Sequence, residues 1–292
     1  IGVVGVSGKP EEIRPVANIT KMAIEVLIKY ERQKLQSIRR QTKKERFIEM
    51  ITSEDHADPK GLRRLAEELQ YREDIIRIPI LCCLEQPQYQ KDFLESVKKG
   101  MLHKSEDISF ALDEKYILIF KTMDSTEKRM FAEYKYILAE YLQGTLQWMQ
   151  REGIVCRFYI GTFQNSFLKY HYAYRHCRWL EKNTKSRHNS VYFYDHICDF
   201  VQSIVPEDEL DHIFNVYGKL LSEDMQNSCK ELINTLVDTN FNTAKASEAL
   251  YMHKNTFLYQ YNKIRDVLNV NPQSSYEDKW FLIFLQLFLK NK

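Results

Sequence analysis

The sequence predicts an α+β multidomain chain, with a central βαββαβ sheet domain followed by an all-α domain. Three observations predict it. Between about Ile75 and Asp195, short apolar runs of strand length alternate with longer runs of helical periodicity. From about His196 onward, apolar residues recur only at helical spacing. At 292 residues the chain is too long for one typical domain and fits two or three.

Composition narrows the function classes. Hydrophobic content of 44% and charged content of 28% are ordinary for a soluble globular protein. The net charge is only +2, so any nucleic-acid footprint must be local. No apolar run reaches the ~18–20 residues of a bilayer span. The closest, "WFLIFLQLFLK", is interrupted by Gln286. The six cysteines, Cys82, Cys83, Cys156, Cys177, Cys198 and Cys229, form no C-x-x-C pair. That pattern points to a reduced, cytoplasmic protein without a disulfide frame.

The elements follow in order. "IGVVGV" reads as a strand whose pairing partners are expected upstream of residue 1, so residue 1 is read as the middle of a domain. "SGKPEEIRP" reads as a turn with loop. A long helix is predicted over Asn18–Ser53, with Met22, Ala23, Val26, Leu27 and Tyr30 as its apolar stripe. Within it, residues 29–46 hold eight Lys/Arg against two Glu. This run is a solvated face, a signalling helix paired with its twin in a dimer, or, as a minor reading, a DNA contact. Asp58 and Pro59 suit the cap and first position of the next helix.

"IIRIPILCCLE" then reads as a strand, with Cys82 and Cys83 on opposite faces. "YQKDFLESVKKGM" reads as a helix, and "DISFALDEKYILIF" as two strands around a turn at Leu112–Lys115. A long helix ends at Gly153. "VCRFYIGTF", "NSFLKYHYAYRHCRWLEKN" and "SVYFYD" continue as strand, helix and strand. Helices are expected on one side of the sheet. The remainder is helical, with Ser274 and Glu277 at capping-box spacing before the last helix.

Few motifs suggest catalysis. Glycines 2, 5 and 8 of "GVVGVSG" match neither a dinucleotide fingerprint nor a phosphate loop. "KYHYAYRHCRW" could offer a stacking platform for single strands. Phe167, Tyr170, Tyr174 and Cys177, however, recur as one buried helical stripe, and His171 and Cys177 lack ligand-pair spacing. No catalytic, metal or cofactor residues are assigned.

"NTAKASEALYMHKNTFLYQYNKI", residues 242–264, is more informative. On a helix starting at Lys254, Phe257, Tyr261, Ile264 and Leu268 form one apolar seam. Asn255, Tyr259 and Asn262 form a second stripe, and Thr256, Gln260 and Lys263 a third. These amides, hydroxyls and cation can meet base edges and phosphates. The preceding short helix, capped by Asn242 or Thr243, offers Ala244, Ala246 and Ser247 for close approach. That is a helix-turn-helix plan, with His253, Lys254, Asn255 and Thr256 leading the second helix. Tyr251 occupies the corner where many such turns carry glycine. Periodicity alone leaves open a plain pair of core helices.

Two resemblances add to this reading. The βαββαβ order is similar to nucleotide cyclases of the GGDEF type, but the hairpin turn reads "FALDEKYIL" and lacks the glycines of the catalytic loop. "ALYMHKNTFLYQYNKI" resembles the C-terminal helix-turn-helix of PucR and carbohydrate-diacid-regulator (CdaR) transcription factors, whose core reads His-Arg-Asn-Thr, Tyr-Arg, Ile. Here those positions are His253-Lys254-Asn255-Thr256, Tyr259-Gln260 and Ile264. Lys254 keeps charge but loses the bidentate fork, and Gln260 keeps hydrogen bonding but loses charge. "IGVVGVSGKPEEIRPVANITKMAIEVL" is similar to the last strand and following helix of a sugar-diacid-recognition domain.

The resemblance implies residues 1–30 as a sensor remnant, 31–71 as a helical linker, 72–200 as a noncatalytic GGDEF-like sheet domain and 207–292 as an all-α helix-turn-helix domain. It implies double-stranded DNA, a homodimer partner and a small-molecule effector at the truncated N-terminal sensor, and no membrane. The expected DNA-binding residues are His253, Lys254, Asn255, Thr256, Tyr259, Gln260, Asn262 and Lys263. The competing readings are a degenerate cyclase-like enzyme and a protein-binding scaffold.

Overall fold

Burial along the first strand decides the layering. Strand β1 (Arg77–Leu84) is buried at every position, which requires cover on both faces. The structure, a computed structural model, describes residues 5, 7, 9–53, 58–123, 129–185, 188–220 and 223–290. The chain divides into two compact units, Ile1–Asp195 and His196–Lys292. The expected opening strand lies outside the described residues.

The first unit carries helices α1 (Pro10–Thr52) and α2 (Pro59–Glu68), then β1 and helix α3 (Gln90–Lys99). Strands β2 (Ile108–Ala111) and β3 (Tyr116–Thr122), helix α4 (Met130–Glu152) and strand β4 (Cys156–Ile160) follow. Helix α5 (Tyr170–Asn183) and strand β5 (Ser190–Tyr192) complete it. Sheet order is β2-β3-β1-β4-β5, antiparallel except for the β4–β5 pair. The first four strands thus make a split βαβ arrangement, and β5 extends its edge.

The expectation of helices on one side is corrected. Ile80, Cys82, Ile117, Ile119 and Phe158 share a core with Phe93 of α3 and Leu138 and Leu142 of α4. The opposite face is closed by α5. The Tyr170 ring stacks on Phe120 with centroids 4.3 Å apart, and Cys177 Sγ lies 3.7 Å from the Pro79 carbonyl. Cys82 and Cys83 therefore point to opposite faces and are both buried. An uninterrupted apolar strand has no solvent face, so a one-sided sheet would leave half of β1 in water.

Gly161 marks the closest approach of α5 to the sheet. A Cβ there would lie 2.5 Å from the Ala173 carbonyl oxygen and 2.8 Å from Pro79 Cγ. Gly161→Ala must push backbone apart, and a loss of about 1–3 kcal/mol is expected in urea unfolding. An unchanged midpoint would refute this contact.

α1 begins earlier than the sequence suggests. Pro10 sits in its first turn, so the stretch read as turn and loop is helical from that residue. The helix runs unbroken past Pro15. Its far end packs, with Phe47 and Ile51 buried and the Phe47 and Phe167 rings 5.3 Å apart. Its near half does not, since Val16, Ile19, Met22, Val26, Leu27 and Tyr30 are all exposed. Asp58 caps α2 by accepting from the Gly61 amide at 2.8 Å, and Gly153 closes α4 at φ 67°.

The predicted stripe is core: Phe167, in the 3-10 turn just before α5, is buried, as are Tyr170 and Cys177 on α5, and Tyr174 is half-buried. His176 on the same helix stacks on Phe193 at 4.0 Å and hydrogen-bonds Thr162 at 3.0 Å. Burial, with Arg175 adding to it, pushes the His176 imidazole down to about 4. The unfolded chain protonates near the ordinary 6.5, so it gains a proton before the folded state does. Stability from this residue is therefore intact above pH 6.5 and lost as pH falls towards 4, by about 2 kcal/mol after the full shift is discounted for the partial exposure of the ring. An NMR titration should place the His176 transition near pH 4, and a midpoint near 6.5 would refute the expectation.

The second unit is helical: α6 (Ile197–Ser203), α7 (Glu207–Leu220), α8 (Glu223–Asp238), α9 (Thr243–Ala249), α10 (Lys254–Leu268) and α11 (Tyr276–Lys290). Its core gathers Phe214, Leu232, Ile233, Phe257, Ile264, Leu282 and Leu285. Gln286, the polar break in the last helix, is buried and donates to the Asn234 carbonyl and to Asp238. The cap of α11 falls one residue later than Ser274–Glu277. Ser275 Oγ accepts from the Asp278 amide at 3.1 Å, and Asp278 accepts in turn from the Asn271 amide. Ser274 instead bonds back to the Asn271 carbonyl, which takes it out of the cap.

Candidate nucleic-acid interface

Local chemistry sets the two helices of the corner. Asn242 Oδ1 accepts from the Ala244 and Lys245 amides, both at 3.1 Å, and starts α9. Ala246 and Ser247 are buried, while Ala244, expected beside them, is exposed. Its carbonyl accepts from Ser247 Oγ at 2.8 Å, so Ser247 faces inward already satisfied.

Tyr251 turns the chain at φ 53° with its side chain 98% exposed. A tyrosine holds the left-handed conformation that glycine takes more cheaply. Leu250 and Met252 on either side pack against the core and fix the corner.

α10 then divides by face. Phe257, Tyr261, Ile264 and Leu268 are its buried residues. Burial raises the Tyr261 phenol above its ordinary value, so it stays a neutral core group. His253, Lys254, Asn255, Thr256, Tyr259, Asn262 and Lys263 are exposed, and Gln260 is half-buried. Seven of the eight predicted residues are thus exposed and the eighth is half-buried. Asn255, Tyr259 and Asn262 point furthest from the core, and Lys254 and Gln260 border the buried seam. His253 has a structural duty as well. Its Nδ1 accepts from the Asn255 amide at 3.3 Å, so the ring proton sits on Nε2, where it can serve a phosphate. Asn269 closes the helix at φ 53°.

Residues 230–287 match the PucR C-terminal helix-turn-helix domain. A second family, described as "Putative sugar diacid recognition", matches residues 1–51. Together these support a transcriptional regulator, and the PucR-type helix-turn-helix supports DNA binding. No curated protein matches the chain. Among solved structures, a regulator of polyketide synthase expression from Bifidobacterium adolescentis is 11% identical, with a TM-score of 0.41. The alignment covers 86% of this chain and 94% of that one. No helix among the described residues is long and apolar enough to cross a membrane.

Helix α10 also carries a residue on the same stripe that the sequence reading left out. Asp266 extends the Asn255–Tyr259–Asn262 stripe by one more turn at the same spacing, and it is exposed. Arg265 Nη2 lies 3.5 Å from its carboxylate. An acid on this face would repel a phosphate. Continuing the stripe to the end of the helix would have found it.

Proposed function

We propose that the chain is a cytoplasmic DNA-binding regulator that responds to a sugar diacid or related carboxylate and controls a catabolic operon. One observation carries the DNA-binding part. Inside the PucR-type match, α10 buries a four-residue seam and leaves the eight named polar residues on an accessible surface. That is the arrangement a helix needs to rest on its own domain while its N-terminal residues meet base edges. A gel shift on DNA from beside its own gene tests it, and no shift at low salt would count against it.

The effector reading is supported by the match of residues 1–51 to a sugar-diacid-recognition family. A homodimer is supported by α1, whose near half exposes an apolar stripe that a twin helix would cover. We read residues 1–30 as part of a sensor, 31–71 as linker, into which the diacid-recognition match reaches as far as residue 51, 72–200 as the GGDEF-like domain and 207–292 as the DNA-binding domain. In this scheme effector binding shifts α1, and α1 changes the spacing of two recognition helices.

The GGDEF-like reading is supported by the split βαβ order around the hairpin. Its turn favours a noncatalytic role: Asp113 Oδ1 is taken up by the Lys115 and Tyr116 amides at 2.8 and 2.9 Å. Gln90 also donates to the Asp113 carbonyl. Nucleotide turnover by the chain would overturn that part of the reading.

A further inference from the structure

The corner between α9 and α10 closes in a way that asks for glycine. The Met252 amide donates to the Ser247 carbonyl at 2.9 Å, and the Tyr251 amide donates to the Glu248 carbonyl at 3.0 Å. That pair of bonds holds the residue after the helix cap in the left-handed region, where glycine is the usual occupant. Tyr251 is that residue, and a bulky side chain is strained there.

Single exposed aromatics are common and need no partner. Tyr251 differs because strain and exposure coincide. Phe241 makes the comparison, as the other aromatic residue at positive φ (59°) among the described residues. Its ring packs against the core of the second unit, and the Lys279 ammonium lies 5.9 Å from the ring centroid. Packing offsets the strain at Phe241. Tyr251 is 98% exposed, so its own unit supplies almost no such contact. Strain that the fold does not offset points to a contact outside the fold.

Position selects the partner. Leu250 and Met252 pack against the core on either side, so the ring projects from the corner into solvent. Two peptide units separate Tyr251 from His253, the cap of α10, which keeps their Cα atoms within about 7.6 Å. The exposed polar start of α10 therefore lies beside the ring. A phenol joins a flat apolar face to one O–H donor. On a duplex the face suits a deoxyribose and the donor a phosphate oxygen. We propose that Tyr251 contacts the DNA backbone, its hydroxyl donating to a phosphate oxygen and its ring lying against the adjoining sugar. The contact sets the register of α10 on the duplex without reading bases. The proposal rests on the DNA-binding reading above and adds a residue outside α10 to that interface.

Gel shifts with the full chain test this, on a duplex from beside its own gene and on a scrambled duplex of equal length. Tyr251→Gly should weaken binding about tenfold on both duplexes, since all sequences share the backbone. Tyr251→Phe keeps the ring and loses only the hydrogen bond, so a loss of about fivefold is expected. A neutral hydroxyl displaces no counterion, so both variants should keep the wild-type salt slope, unlike Lys254→Ala. The thermal midpoint of Tyr251→Gly should equal or exceed that of wild type, because glycine relieves the strain. Stability kept while affinity falls is a combination that a merely structural tyrosine would not produce. Wild-type affinity in Tyr251→Gly would overturn the contact and leave the DNA-binding reading standing. A clearly lowered midpoint would also overturn it, by showing that the side chain serves the fold. A loss confined to the duplex from beside the gene would overturn the phosphate assignment. No shift by the wild-type chain at low salt would overturn the contact and the DNA-binding reading together.

Discussion

Replacing Lys254 and Asn255 together by alanine is expected to weaken specific DNA binding by about a hundredfold in a gel shift. Both side chains are exposed at the start of α10, and neither is one of the buried residues of the seam that holds the helix in place. The variant should therefore melt like the wild type and fail only on DNA. The two losses should also differ in kind. Asn255 offers the paired donor and acceptor that suit adenine, so its removal should relax sequence preference. Lys254 offers charge to phosphate, so its removal should flatten the salt dependence by about one unit. Phe257→Ala makes the contrast, because that ring is buried and its loss should unfold the second unit along with DNA binding. Unchanged affinity in the Lys254/Asn255 variant would displace the reading surface from α10.

A large stability loss is expected from Lys121→Ala in the first unit. The Asp107 carboxylate is buried beside the sheet and lies 2.7 Å from Lys121 Nζ. The backbone amides of Lys104 and Thr122 donate to the same carboxylate at 2.8 and 2.7 Å. The Lys121 ammonium also donates to the Leu102 carbonyl and lies 4.6 Å from the centroid of the Tyr141 ring. Burial lowers the Lys121 pKa, and the Asp107 charge works against that shift. Removing the lysine leaves a buried carboxylate without its counterion, at a cost of about 3–5 kcal/mol. Lys121→Met with Asp107→Asn should recover much of the loss, since no buried charge is then left alone. Guanidinium unfolding measures both. A single variant within about 1 kcal/mol of wild type would mean that water reaches the carboxylate.

Helix α10 was the most legible part of the chain. Its buried seam follows from the 3.6-residue period, and the predicted Phe257, Tyr261, Ile264 and Leu268 are the residues that the second unit buries. The strands were legible as apolar runs between turn signals, and the caps at Asp58 and Gly153 from residue type alone. The cap at Ser275 was misplaced by one residue because adjacent serines offer the same chemistry, and only the bond to the Asp278 amide selects between them.

From Ile75 onward the sequence by itself determined which segments are helix and strand, and which side of α10 turns inward, because those depend on period and on nearest neighbours along the chain; the start of α1 was not legible, since Pro10 and Pro15 read as a loop. Tertiary structure decided the rest. It covered both faces of β1, since only the arrival of α5 supplies the second layer. It buried Arg77 inside that strand, where its guanidinium donates to the Glu106 and Arg72 carbonyls and the Tyr170 hydroxyl. Periodicity reports that a residue has an inward face, while the partner that meets a buried charge lies far along the chain and is set only by packing.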